Sequence, residues 1–306
     1  MTAPHLRQFS RRSDALLYWS DRTGTRQAYR LDLKGGTSKQ LTDAAALDPL
    51  SLSLSPDEKA FYFFDGPALN ATSLPNLQTK ILYTLQEGSA RMGMTVAADG
   101  SVLFAEGKPG DWRIVRIAAA HAAPIIRTDT EIDLLLARPR RSQVLYRTGG
   151  ALWLVNNDGS GKQPIRFEPG HAGEVLWTPS GRTLIYLYIP DDTKQLIALR
   201  ENSPEENSDK QIARTSQFAT VSPNGDASVF TGASRSKASA YVLILLRVTR
   251  RELTLCEHHA SDPAMVSPVF SPDSQSVFFV SDRHGKSAIY RVHVEKFVEA
   301  TAEDEK

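Results

Sequence analysis

The stretch "VFSPDSQSVFFVSDRHGKSAIYRV" occupies Val269–Val292, and residues 9–30 read "FSRRSDALLYWSDRTGTRQAYR". An offset of 261 superposes the two without a gap. Phe9 meets Phe270, Ser20-Asp21-Arg22 meets Ser281-Asp282-Arg283, Gly24 meets Gly285, and Tyr29-Arg30 meets Tyr290-Arg291. The phrase is built as a hairpin. "SPDSQ" carries turn residues, "SVFFVSD" is an apolar β-rich run, "RHGK" supplies a turn glycine, and "SAIYRV" is a second strand.

The same grammar recurs between the two ends. It reads "LSPDEKAFYFF" at Pro56, "AADGSVLFAE" at Ala98, "RPRRSQVLYR" at Pro139, "TPSGRTLIYLY" at Pro179 and "SPNGDASVFTG" at Pro223. With Arg11 and Pro272 these make seven copies, spaced 45, 42, 41, 40, 44 and 49 residues apart. That period, with short strands and no helical pattern, predicts an all-β chain: a seven-bladed β-propeller of four-stranded antiparallel blades. In the fifth copy "AGEVLWTP", "RTLIYLYI", "KQLIALRE" and "DKQIART" read as the four strands from the inside outward. The whole chain, 1–306, is expected to form one propeller domain. Its blades lie near 5–43, 48–87, 91–130, 132–168, 171–215, 217–257 and 262–300. "KFVEATA", near the C-terminus, is a candidate outer strand for the last blade.

Composition narrows the function classes. Lys plus Arg number 36 against 35 Asp plus Glu, a net charge of +1. That balance gives no electrostatic reason to expect a nucleic acid or an anionic membrane as partner. Cys256 is the single cysteine, so no intrachain disulfide can form. "MTAPHLRQFSRRSD" has no apolar signal core and no run is long enough to span a bilayer. The expected location is the cytoplasm, or the periplasm if a leader has been removed. "RENSPEENSDK" (200–210) reads as a solvated hairpin loop. "NNDGSGK" (156–162) lacks the spacing of a phosphate loop and reads as a turn, as does the sequon "NAT" (70–72). Tyr18, Trp19, Tyr62, Phe63, Phe64, Phe278 and Phe279 fall in second strands and are expected to pack blades together.

The repeats resemble those of TolB-like propellers. Beyond the repeat, "LLYWSDRTGTRQAYRLDLKGGTSKQLTD" (16–43), "LWLVNNDGSGK" (152–162), "VLWTPSGRTLIYLY" (175–188) and the last blade follow, in order, the layout of bacterial oligogalacturonate lyases. That resemblance covers nearly the whole chain. It implies a seven-bladed propeller, a divalent metal held mainly by imidazoles in a central funnel, and β-elimination on short pectic fragments. Carried over residue by residue, it places the metal ligands at Asp262, Met265, Ser267 and Phe218, a further histidine at Glu174 and the catalytic arginine at Ala151. Met, Ser and Phe cannot together hold a hard cation. No cofactor and no metal are therefore expected.

Polar residues near the expected funnel mouth are the remaining candidates. Asp48, Gln217, His258, His259 and Asp262 are candidate ligand-binding residues; Arg91, His171 and Glu174 are the candidates for a rebuilt catalytic site. The preferred reading of all eight is as loop residues satisfied by backbone and water. In "CEHHASD", Cys256 and His258 would share one strand face and His259 the other, so they do not converge on one ion. Two functions follow. One is a non-catalytic propeller that binds a protein or an acidic oligosaccharide at its funnel face. The other is a lyase-type enzyme with a relocated site.

Overall fold

The structure, a computed structural model, describes residues 8–119, 121–167, 171–192, 196–215 and 217–294. The chain is an all-β, seven-bladed β-propeller with antiparallel blades. Its only helical turns among the described residues are two of 3-10 type, Pro49–Ser51 and Pro263–Met265. Among the described residues no helix is long and apolar enough to cross a membrane.

The repeat becomes a turn made seven times. In each copy a backbone N–H closes onto the carbonyl three residues earlier: Ser13 to Ser10, Glu58 to Ser55, Gly100 to Ala97, Arg141 to Arg138, Gly181 to Thr178, Ala227 to Asn224 and Ser274 to Ser271. In six of them the closing residue has a positive φ, from +53° at Ser13 to +83° at Gly100. Side chains lock the turn. Ser55 Oγ donates to Asp57 Oδ1 at 2.7 Å and accepts from Ala60 N at 3.0 Å. Ser271 does the same with Asp273 (2.5 Å) and Ser276 N (3.1 Å). This is why Ser-Pro-Asp recurs. The Ser55 hydroxyl holds the Asp57 carboxyl below its ordinary range. One marker is displaced: Pro223 ends a strand, paired with Phe230, and the sixth turn opens at Asn224.

The chain falls into two compact units, residues 15–166 and residues 1–14 with 167–306. The first unit holds four sheets. β1 (Ala15–Ser20), β2 (Gln27–Asp32) and β3 (Ser38–Gln40) form one. β4 (Ser53–Leu54), β5 (Ala60–Asp65), β6 (Ala68–Ser73) and β7 (Thr79–Thr84) form the second. β8 (Ala90–Val96), β9 (Val102–Lys108), β10 (Asp111–Ala118) and β11 (His121–Thr128) form the third. β12 (Ile132–Ala137), β13 (Gln143–Thr148), β14 (Ala151–Asn156) and β15 (Gln163–Ile165) form the fourth. Aromatic residues join neighbouring sheets: Phe64 of β5 meets Phe104 of β9 edge-on, with centroids 5.3 Å apart.

The second unit holds three sheets. β16 (His171–Trp177), β17 (Leu184–Ile189), β18 (Ile197–Ser203) and β19 (Ser208–Thr215) run in the order expected for the fifth copy. β20 (Thr220–Pro223), β21 (Val229–Ala233), β22 (Tyr241–Leu246) and β23 (Glu252–Glu257) follow. β24 (Val269–Phe270), β25 (Ser276–Ser281) and β26 (Ala288–His293) form the last. The first and last sheets therefore show three strands among the described residues, and "KFVEATA" lies outside them. Phe9 packs at a tilt against Phe278, centroids 5.1 Å apart, and Ser13 Oγ accepts from Asp273 N at 3.1 Å, so the N-terminal residues dress the last sheet.

The twin phrases fold alike. Gly24 N donates to Asp21 O and Gly285 N to Asp282 O, and both glycines have φ above +80°. Arg22 lies 3.9 Å over the Tyr29 ring and Arg283 lies 5.1 Å over Tyr290. Two loop assignments are corrected. "RENSPEENSDK" is mostly strand: only residues 204–207 turn, Asn202 and Ser203 are buried, and Arg200 Nε pairs with Asp209 at 2.8 Å. "NAT" is not a turn: Asn70 is buried in the middle of β6. Both errors come from composition, because polar residues facing a neighbouring blade look like loop residues in sequence. "NNDGSGK" does turn, with Gly159 at φ +88°; a Cβ there would meet Ile125 O at 2.5 Å.

Candidate functional site

In residues 15–166 the structure brings two candidates together. Asp48 caps the 3-10 turn that leads into β4; its Oδ1 accepts from Leu50 N at 2.9 Å. Its Oδ2 pairs with Arg91 Nη2. Arg91 enters on β8, where a bulge at Gly93 (φ +56°) shifts the register between Met92 and Met94. Its guanidinium packs 4.5 Å over the Phe64 ring. Burial lowers the Arg91 pKa to about 10. Asp48 is thus a cap and a counter-ion, and the Asp-Pro pair was a legible sign of the first role, since Asp caps and Pro suits the first helical position.

The other candidates lie in the second unit. His171 is exposed at the start of β16, opposite Ile189. Glu174 sits at a bulge between Ala172 and Val175, and its Oε2 accepts from Val221 N at 2.6 Å. It therefore serves the neighbouring strand β20. Gln217 leaves Oε1 buried with no partner among the described residues. Next to it, Phe218 is fully buried in an apolar cluster with Leu187, Leu199, Val221, Phe230 and Leu245. Gly232 of β21 makes the room: a Cβ there would lie 2.5 Å from Phe218 Cδ2 and 2.5 Å from Thr220 O.

At the end of the sixth sheet β23 stops at Glu257, so the strand alternation expected for Cys256, His258 and His259 does not reach the histidines. His258 is 1% exposed. Its Nε2 lies 3.2 Å from Ser239 O, and its Nδ1 accepts from Ala260 N at 2.9 Å, which makes Nε2 the protonated nitrogen. Burial pushes its pKa below the ordinary imidazole value. Its carbonyl accepts from Ser281 Oγ at 2.6 Å and from Arg283 Nε at 3.3 Å. His259 turns outward at φ +48° and pairs with Glu257 at 3.0 Å. Asp262 repeats the role of Asp48, capping Pro263–Met265 by accepting from Ala264 N at 3.0 Å. Met265 packs against the cluster of Val266, Phe270 and Val277, and Ser267 is buried.

The residues at the expected metal positions do not fit a divalent cation. A core phenyl ring, a packed thioether, one buried hydroxyl and a turn-capping carboxylate at Asp262 do not make up the set of imidazoles or oxygens such an ion needs. Among the described residues no three His, Cys, Asp or Glu side chains converge on a point. The arrangement can hold strands in register and present surface; no described nucleophile–base pair emerges from it.

No family model matches the chain. Sequence comparison aligns it with the oligogalacturonide lyase of Pectobacterium atrosepticum, 22% identical over 91% of this chain and 86% of that protein. Among solved structures, an oligogalacturonate lyase in complex with manganese superposes with a TM-score of 0.86 at 20% identity, over 94% of this chain and 89% of the other. TolB from Acinetobacter baumannii gives a TM-score of 0.56 at 14% identity, over 78% of this chain and 63% of that one. With repeat, strand order and whole-length alignment in agreement, the chain is a seven-bladed β-propeller similar along its length to the oligogalacturonate lyases and similar in fold to TolB.

Proposed function

We propose that this propeller binds a protein or a carbohydrate ligand at its funnel face and does not carry out β-elimination. The observation that carries the reading is Phe218. Where the resemblance places an imidazole, this chain has a fully buried ring, and Gly232 lacks the side chain that would collide with it. The position has been rebuilt as core, not merely emptied. The other placed positions support the same reading. Glu174 is tied to Val221 N, Asp262 caps a turn, and Ala151 offers no charge to a developing enolate.

Elimination needs the proton beside the uronate carboxylate to be acidified while negative charge builds, and fixed positive groups do most of that work. The competing reading is a relocated lyase site. It is supported by the lyase activity for which the relatives are named and by Arg91, a largely buried cation on β8. A single assay separates the two. The protein is mixed with di- and trigalacturonate, with and without manganese, and the ultraviolet absorbance of the unsaturated product is followed. Saturation-transfer NMR on the same mixtures reads binding. The expected outcome is no absorbance above the buffer rate. A manganese-independent rise abolished by Arg91→Met would establish the relocated site instead.

A further inference from the structure

Asn224-Gly225 is the one Asn-Gly step in the sequence, and it opens the sixth turn. Such a step has a covalent chemistry of its own. The Gly225 nitrogen can attack Asn224 Cγ, because glycine carries no side chain to obstruct the approach. The new N–Cγ bond closes a succinimide ring. The Cγ–Nδ2 bond breaks, and the Gly225 proton leaves with Nδ2 as ammonia. Water then opens the ring and gives Asp or isoaspartate at 224.

The folded chain engages every polar group of Asn224, which is 2% exposed. Its Oδ1 accepts from Ser228 N at 2.9 Å and from Val229 N at 3.1 Å, and its Nδ2 donates to Ser228 Oγ at 3.1 Å. Its backbone N donates to Val229 O at 2.9 Å, and its carbonyl accepts from Ala227 N at 3.1 Å. Gly225 N, the attacking atom, donates to Ser274 Oγ at 2.8 Å, and Ser274 is the closing residue of the seventh turn. The approach is close: a Cβ on Gly225 would lie 3.1 Å from that oxygen. The same clasp recurs on the other side of the seventh turn, where Ser13, which closes the first turn, takes Asp273 N at 3.1 Å. The other turns close on Glu58, Gly100, Arg141, Gly181 and Ala227, and none of these carries a hydroxyl.

We propose that Asn224-Gly225 is a deamidation site guarded by the Ser274 hydroxyl, and that the succinimide forms only where the sixth and seventh turns part. Attack needs Cγ to swing onto Gly225 N. That motion breaks the three side-chain bonds of Asn224 and the Gly225–Ser274 bond together. The two products leave different turns behind. Asp at 224 still accepts from Ser228 N and Val229 N, now through a charged oxygen. Isoaspartate adds a methylene to the main chain ahead of Gly225, which carries Gly225 N out of reach of Ser274. The modification is one-way, and its isoaspartate branch loosens one side of the seventh turn.

The full chain is incubated at mildly alkaline pH, folded and in urea. The peptide containing position 224 is followed by mass spectrometry, with Asp and isoaspartate separated by chromatography. Conversion in the folded chain should be roughly tenfold slower than in urea, or slower still, because it waits on local opening. Ser274→Ala should speed it about two- to tenfold, the change in opening that one lost hydrogen bond brings. Alanine suits the position, since Ala227 closes the sixth turn at φ +59° where Ser274 closes the seventh at φ +63°. Ser55→Ala loosens the second turn, in the other unit, and should leave conversion at 224 unchanged. Hydrogen exchange at Gly225 reads the same opening without the chemistry and should rise with Ser274→Ala by the same factor. Equal conversion in the folded chain and in urea, an unchanged rate in Ser274→Ala, or equal acceleration by Ser55→Ala would each overturn the proposal.

Discussion

Replacing Phe218 tests the central claim that the expected imidazole position is now structural. Phe218 is fully buried among Leu187, Leu199, Val221, Phe230 and Leu245. Truncating such a ring to Ala removes its transfer free energy and leaves a cavity, together costing about 3–5 kcal/mol. Taking about 4 kcal/mol and an unfolding entropy of ~2.1 cal/mol/K per residue over 306 residues, Phe218→Ala should lower Tm by about 6 °C if the chain melts as one unit. Phe218→His is the sharper variant. It restores the ring that the resemblance implies, yet its nitrogens would face Leu and Val side chains and lose water without gaining partners, adding about 1–3 kcal/mol. It should therefore be no more stable than Phe218→Ala. Manganese should not rescue it, because Met265 and Ser267 remain poor ligands. Differential scanning calorimetry and urea titration, each with and without manganese, read both effects. A functional metal site filled to a hundred times its Kd would return about 2.7 kcal/mol. A loss below about 1 kcal/mol in Phe218→Ala, or a manganese-dependent gain of that size in Phe218→His, would refute the reasoning.

Three further outcomes are expected. Glu106 is fully buried and takes Tyr83 OH at 2.7 Å and Arg113 Nε at 2.8 Å, so Arg113→Met should cost about 3–5 kcal/mol by stranding a carboxylate, measured by urea unfolding, and Glu106→Leu in the same chain should recover part of it. His258 has a folded pKa below its unfolded value of about 6.5, so the unfolded state binds the extra proton; stability should fall as pH drops from about 7 through that value and flatten once the folded group also titrates, a slope that His258→Gln should remove from the urea midpoints. Glu174→Ala should cost about 1–2 kcal/mol in the same assay by removing the charged acceptor of Val221 N, whereas a surface loop carboxylate would cost almost nothing.

The candidate site was legible only in part, for reasons that individual residues make plain. Asp48 and Asp262 stood out as charged residues before inner strands, and the following proline already signalled a cap. Glu174 gave no such signal, because its bond to Val221 N crosses 47 positions of chain and depends on a bulge. His258 sat in a motif that suggested ligands, but the stop of β23 at Glu257 turned it inward to Ser239 and Ala260. Asn70 was hidden within a sequon, and its burial on β6 emerges only when that strand is placed in its sheet.

The sequence by itself determined the seven-fold repeat, the hairpin phrases and the β class, because these rest on local turn chemistry. A Ser-Pro-Asp turn or an Asp-Arg-x-Gly hairpin closes within a few residues, so its hydrogen bonds are implied wherever the letters occur. Local letters also fixed the chemistry at the positions the resemblance singles out, since Met265, Ser267 and Phe218 carry no imidazole in any fold. Only the tertiary structure decided what those residues do. The burial of Phe218, its accommodation by Gly232 and the pairing of Asp48 with Arg91 all depend on which strand packs against which. Side-chain contacts between blades join positions tens of residues apart, 23 at Tyr83–Glu106 and 46 at Glu201–Arg247, and no local pattern encodes the partner.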